Sequence, residues 1–169
     1  MNLPRNLHDF NVFAGGRSLA GQARTITLPK LVMNTEEYLG AGMGAAAKIL
    51  TGSIAALEFM HNYGGEVPEL NAGFGDPRLD GQQLRFAGAY KNDAISTYDD
   101  VQITVSGRTN EIDTGEQEIG SKNGVSYKTD CVYYKQVRNG QVEFEIDILN
   151  KLLLVYDVDR WAQLRAITR

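Results

Sequence analysis

The sequence predicts a mainly β fold: a single-domain β-barrel or sandwich with a short mid-chain helix and a C-terminal helix. Three observations carry this. Apolar and polar residues alternate with period 2 in several stretches, most cleanly at Val101, Ile103 and Val105 against Gln102, Thr104 and Ser106. Glycine is 18 of 169 residues and proline only 4, a turn-rich composition and not a disordered one. Helical spacing of apolar residues is confined to two short stretches.

The elements follow in chain order. Phe10-Asn-Val-Phe13 and Arg17-Ser-Leu-Ala20 flank Gly15-Gly16, which permits positive φ at both turn positions, so a hairpin is expected. Thr25-Ile-Thr-Leu28 alternates as a strand, and Pro29, with no N–H to donate, ends its pairing. Lys48-Ile-Leu50 and Ile54 to Phe59 flank Thr51-Gly52-Ser53, which predicts a second hairpin turning at Gly52. Glu66 to Phe74 suits a short helix with Pro68 in its first turn. Leu84, Phe86 and Tyr90 share one strand face, with Arg85 and Lys91 on the other. Tyr127 to Val137 is a further strand, Asn139-Gly140 a strong hairpin turn, and beyond it Val142, Phe144 and Ile146 alternate with Glu143, Glu145 and Asp147. The last helix is expected over 158–168, capped by Asp157 or Asp159. Val158, Trp161 and Leu164 would pack it on the body, and Arg165 and Arg169 lie at its C-terminal end, where cations suit the helix dipole. No linker, repeat or low-complexity run divides the chain, so 1–169 reads as one domain.

Composition removes several functions. One cysteine excludes an intrachain disulfide framework and multi-cysteine zinc sites, and two histidines leave little for a His-rich metal centre. His61 near Glu58 and His8 before Asp9 are isolated pairs, better read as hydrogen-bonded or surface histidines than as acid–base catalysts. Gly40-Ala-Gly42-Met-Gly44 lacks the preceding buried strand and third glycine of a dinucleotide fingerprint. No nucleophile elbow or His-Glu-x-x-His helix occurs, Cys131 sits inside a strand pattern, and the carboxylate pairs lack the glycine and distal glutamate of a calcium loop. No enzyme activity, cofactor or metal is expected. No apolar run reaches the roughly 20 residues of a membrane helix, and the first residues carry no secretory apolar stretch, so folding in a reducing cytoplasm is expected.

Seventeen Lys and Arg against 21 Asp and Glu give a net charge of −4, which argues against a nucleic-acid-coating protein. The charge is uneven: residues 66–118 hold 4 basic and 11 acidic side chains, whereas 119–169 hold 8 and 6. One reading is a solvated acidic face; another is complementary surfaces on one protomer, suited to head-to-tail assembly.

Six stretches in order carry a resemblance: Thr25-Ile-Thr-Leu-Pro-Lys-Leu31, Thr35-Glu-Glu-Tyr-Leu-Gly-Ala-Gly-Met43, Glu111-Ile-Asp-Thr-Gly-Glu116, Tyr133-Tyr-Lys135 with Asn139-Gly140, Glu145-Ile-Asp147 with Asn150, and Val158-Asp159. Leu3-Pro-Arg5 and Asn11-Val-Phe13 fit as well. Together they resemble the major tail tube proteins of contractile-tailed bacteriophages and their relatives in R-type pyocins, over essentially the whole chain. The chain departs at Ala45-Ala-Ala47, smaller than the family's β-branched strand, and at the more apolar Lys151-Leu-Leu-Leu154.

The resemblance implies a fold shared with the Hcp tube protein of type VI secretion. It implies six protomers in a ring, rings stacked into a rigid tube, a sheath protein outside and the tape-measure protein inside. A baseplate hub and tail terminator would cap the ends, and DNA would be only a passing cargo. The place implied is the virion tail, after assembly in the host bacterial cytoplasm. Residues 35–62 would form the long hairpin and loop for inter-subunit contacts, with Glu36, Glu37, Tyr38, Met43, Gly44, Ala46 and Lys48 as contact residues. Glu58, Asp99 and Asp100 are candidates for an acidic lumen, which repels phosphate and so does not grip DNA. The alternatives are the tube of a bacteriocin or of an Hcp-like secretion system, a small-ligand β-barrel with an apolar cavity, and an enzyme, the last disfavoured by the empty motif search.

Overall fold

The topology turns on one long strand. A computed structural model describes residues 1–169 and contains twelve strands and two short helices. β1 (Asn6–Ala14) pairs β7 (Gln82–Asn92), β7 pairs β8 (Thr97–Asp113), and β8 pairs β9 (Val125–Arg138), all antiparallel. On its other edge β9 divides. Its first half pairs β6 (Leu57–Tyr63), which in turn pairs β3 (Ala23–Thr27). Its second half pairs β10 (Gln141–Asp147), followed by β11 (Leu152–Val155) and β12 (Val158–Asp159).

The fork is made by a register shift. Ser106 lies opposite Tyr133 but Gly107 lies opposite Cys131, so β9 carries an extra residue there. A Cβ at Gly107 would strike the Asp130 carbonyl, so this close strand approach requires glycine. The bulge bends β9 and lets its two halves lead to different neighbours.

Local chemistry explains many elements. β1 turns into β2 (Arg17–Ser18) through Gly15 and Gly16, at φ 56° and 83°. Asn139 and Gly140 adopt φ 49° and 81° and join β9 to β10. Leu84 and Phe86 of β7 and Val101, Ile103 and Val105 of β8 face inward and are buried, as their alternation predicts. α1 (Pro68–Asn71) has Pro68 in its first turn and buries Leu70. The Tyr127 hydroxyl receives the Val67 amide at 3.0 Å and donates to Asn71 Oδ1 at 2.8 Å, which ties α1 to β9.

Three expectations are corrected. Gly52 is not a hairpin turn. Ala47–Ile54 is one strand, β5, paired with β4 (Met33–Tyr38) in a separate two-stranded sheet, and β6 belongs to the main sheet. Gly52, at φ 83°, is a bulge between the Met33–Ile54 and Thr35–Leu50 pairs; positive φ serves a bulge as well as a turn. Glu143 does not point outward. A register shift between Val142 and Phe144 turns it inward, where Arg138 Nε at 2.7 Å and Gln136 Nε2 at 2.8 Å satisfy its carboxylate. The last helix does not begin at 158. Val158 still pairs with Val155 after a turn at Tyr156 and Asp157, and α2 spans Ala162–Thr168.

Candidate functional site

The β4–β5 ribbon stands off the body. Every residue from 34 to 53 is exposed except the half-buried Gly40. Met33 and Ile54 pack its root against the core. A lone two-stranded hairpin is marginal in water, and this one exposes five large apolar side chains: Tyr38, Leu39, Met43, Ile49 and Leu50. The register puts Glu36, Tyr38 and Ile49 on one face and Thr35, Glu37, Lys48 and Leu50 on the other. Gly44 and Ala46 are exposed in the loop between the strands.

The ribbon tip has a defined shape. The Met43 amide donates to the Gly40 carbonyl at 3.2 Å, the Gly40 amide donates to Met43 Sδ at 3.2 Å, and Gly42 takes φ 82°. A Cβ on Gly40 would lie 3.0 Å from the Tyr38 hydroxyl, so the ring folds back over the turn. The contact residues expected from the sequence thus share one projecting element. Residues 57–62, expected with them, lie instead in β6 of the main sheet, where Leu57, Phe59 and His61 are buried.

The three lumen candidates do not converge. Glu58 lies opposite Asp130 and binds Lys128 Nζ at 3.0 Å. Asp99 lies near the other end of β9. It is ion-paired with Arg5, 3.8 Å from Arg138 Nη1, and receives Asn139 Nδ2 at 3.0 Å. Asp100 beside it is exposed and accepts from Gln102 Nε2 at 3.2 Å.

Between the ribbon root and α2 runs an apolar groove of about 550 Å³, which the sequence reading missed. Eleven of its 13 lining residues are apolar. They come from the segment 31–33, from β5, β10 and β11, and from Trp161 and Leu164. Asp159 holds the start of α2 beside the groove: its Oδ1 accepts the Trp161 amide at 3.0 Å and its Oδ2 the Arg165 guanidinium at 2.6 Å. Burial works to raise the Asp159 carboxyl, but these two donors hold it below the ordinary carboxylate range. Trp161 is buried, whereas Val158 and Leu164 are 52% and 42% exposed, so of the three apolar residues expected to pack the helix only the indole is buried; Arg165, bound to Asp159 and to the Lys151 carbonyl at 3.0 Å, adds a polar tether. Trp161→Ala is expected to cost about 3–5 kcal/mol in urea unfolding; a change below about 1 kcal/mol would show that the indole contributes no buried packing. The one legible trace of the groove was the apolar pair Leu31-Val32, most of whose partners lie more than a hundred residues away in the chain.

Reactive groups are inert by placement. Burial, and secondarily Asp130, pushes the Cys131 thiol up to about 12. No three His, Cys, Asp or Glu side chains converge in a way that would hold a metal ion. No helix is long and apolar enough to cross a membrane.

Comparison with known proteins adds the following. Residues 4–167 match the family described as phage tail tube protein FII. The chain is 36% identical over 170 residues to the tail tube protein of Escherichia phage P2, covering 98% of this chain and 97% of that one. It is 34% identical over 151 residues to the major tail tube protein of Serratia phage KSP20, covering 89% and 86%. A chain in the sheath/tube terminator structure of the extracellular contractile injection system PVC, in the extended state, superposes with a TM-score of 0.59 at 13% identity, over 79% of this chain and 96% of that one. The extended PVC sheath–tube complex gives 0.57 at 13% identity, over 79% and 91%. At that identity the likeness is one of fold.

Proposed function

The chain belongs to the phage tail tube protein FII family, a structural family and not an enzyme family, and we propose that six copies close into a ring and that rings stack into the inner tube of a contractile tail. The observation that carries this is the ribbon: a two-stranded sheet with five exposed apolar side chains and nothing in its own chain to cover them. Contacts that join unlike surfaces close into rings or run on as filaments, and both are needed to build a tube. The ribbon, with Glu36, Glu37, Tyr38, Met43, Gly44, Ala46 and Lys48, is the inter-subunit element.

In this role the protein sits in the virion tail after assembly in the host cytoplasm. It has sheath protein outside, tape-measure protein and later the genome inside, and the baseplate hub and terminator at its ends. Asp100 supplies lumen charge that keeps phosphate from lingering; Glu58, already paired with Lys128, and Asp99, paired with Arg5 and Arg138, add less. A phage-tail-like bacteriocin or a type VI system would use the same assembly with a different cargo. Negative-stain electron microscopy of the purified protein tests the proposal. Rings or tubes with a central hole are expected, and a monodisperse monomer at high concentration would overturn it.

A further inference from the structure

We infer that the apolar groove between the ribbon root and α2 is the seat for the ribbon tip of a second copy. This rests on the assembly proposed above and adds the acceptor surface to it.

Four observations converge. First, the groove is open and apolar, with Leu31, Ile54, Phe144, Leu153, Trp161 and Leu164 around it, and no segment of its own chain fills it. Second, its own ribbon tip does not reach it. Met33 and Ile54 lie at the groove, and the Tyr38–Ala47 pair is five residues further along β4. At about 3.4 Å per residue that is roughly 17 Å away, with the turn beyond. The strand ladder keeps the ribbon from folding back on itself. Third, the tip offers matching chemistry: Tyr38, Leu39 and Met43 are exposed around a turn that hydrogen bonds hold in one shape. Water leaves both surfaces when they meet.

Fourth, the charges agree. Glu36 and Glu37 lead into the tip and form no ion pair within the chain. At the groove, the exposed Arg160 guanidinium has no hydrogen bond or ion pair of its own. Seating the tip brings these charges together at the rim of an apolar contact, where complementarity fixes register. The contact is heterologous, since each copy offers a tip to one neighbour and a groove to another. It therefore propagates and does not stop at a dimer.

Cysteine pairing on the full chain tests this. Leu39 and Leu164 are both exposed, so Leu39→Cys and Leu164→Cys leave the core alone, and the buried Cys131 stays silent. Under mild oxidation of assembled protein, the double variant is expected to give a ladder of cross-linked multimers. Each single variant is expected to give none. Tubes that form without a ladder would overturn the groove and leave the assembly reading standing. A cross-linked monomer, or a ladder obtained only when Ile119→Cys replaces Leu39→Cys, would overturn it by naming another occupant. Failure of the unaltered chain to form rings or tubes would overturn both readings.

Discussion

Met43→Asp is expected to leave a folded monomer and abolish tubes. Met43 sits in the ribbon-tip turn, 40% exposed, and touches nothing in the core, so the domain has no reason to lose stability. In the assembly proposed above, the same position faces a neighbour. Placing a carboxylate in an apolar contact costs several kcal/mol unless it is paired. The penalty recurs at every copy, so growth should stop instead of slowing. Size-exclusion chromatography reads the monomer and electron microscopy the absence of tubes. Met43→Leu keeps the apolar volume and is expected to assemble. Long tubes of ordinary length from Met43→Asp would remove the tip from the interface.

The second large effect is acid lability centred on His61. Its imidazole is fully buried, with Nδ1 2.9 Å from the Tyr63 hydroxyl and Nε2 3.0 Å from Thr129 Oγ1. It stacks on Phe59 at 4.8 Å and Tyr127 at 5.7 Å between ring centroids. Burial lowers its pKa from 6.5 to about 3. The sign follows directly. Between those values the unfolded chain binds the proton and the folded chain does not, so stability falls as pH drops below 6.5 and the loss is complete near 3. At about 1.4 kcal/mol per unit this amounts to about 5 kcal/mol over the window, and roughly 3 kcal/mol by about pH 4. Urea midpoints of the Met43→Asp monomer near neutral pH and at about pH 4 measure it. His61→Gln, which does not titrate, is expected to flatten most of the drop. An unchanged drop would assign it to carboxylates such as Asp159, which Arg165 and the Trp161 amide hold below the ordinary range.

What the sequence made legible was local. The turns at Gly15-Gly16 and Asn139-Gly140 and the inward face of Val101, Ile103 and Val105 depend on neighbours a few residues away, and residue chemistry alone foretells them. The resemblance to tail tube proteins pointed to a long hairpin near residues 35–62, and the structure shows an exposed ribbon with its limits at Met33 and Ile54. The misses share a cause. Whether Gly52 turns or bulges depends on β4, fourteen or more residues earlier in the chain. Whether Glu143 faces out depends on a one-residue slip against β9, which turns this side chain inward while Phe144 and Ile146 keep the inward face their alternation predicts. Val158 joined the helical pattern by spacing, and the strand bond to Val155 claimed it instead. The groove was the least legible feature, because it exists only once residues near 31, 54, 144, 153 and 161 have been brought together.

The division of β9 between two neighbours also sets an order of events at the ribosome. β3 and β6 have no partner in the main sheet except through Val125–Cys131, and only two residues separate the ribbon from β6. Until those residues emerge, the base of the ribbon is untethered and its strands cannot be presented in a fixed direction. Non-local pairings of this kind form late and slowly. In the assembly proposed above, a nascent chain therefore presents no fixed ribbon to a neighbour until about three-quarters of it has been made, which places recruitment after most of synthesis.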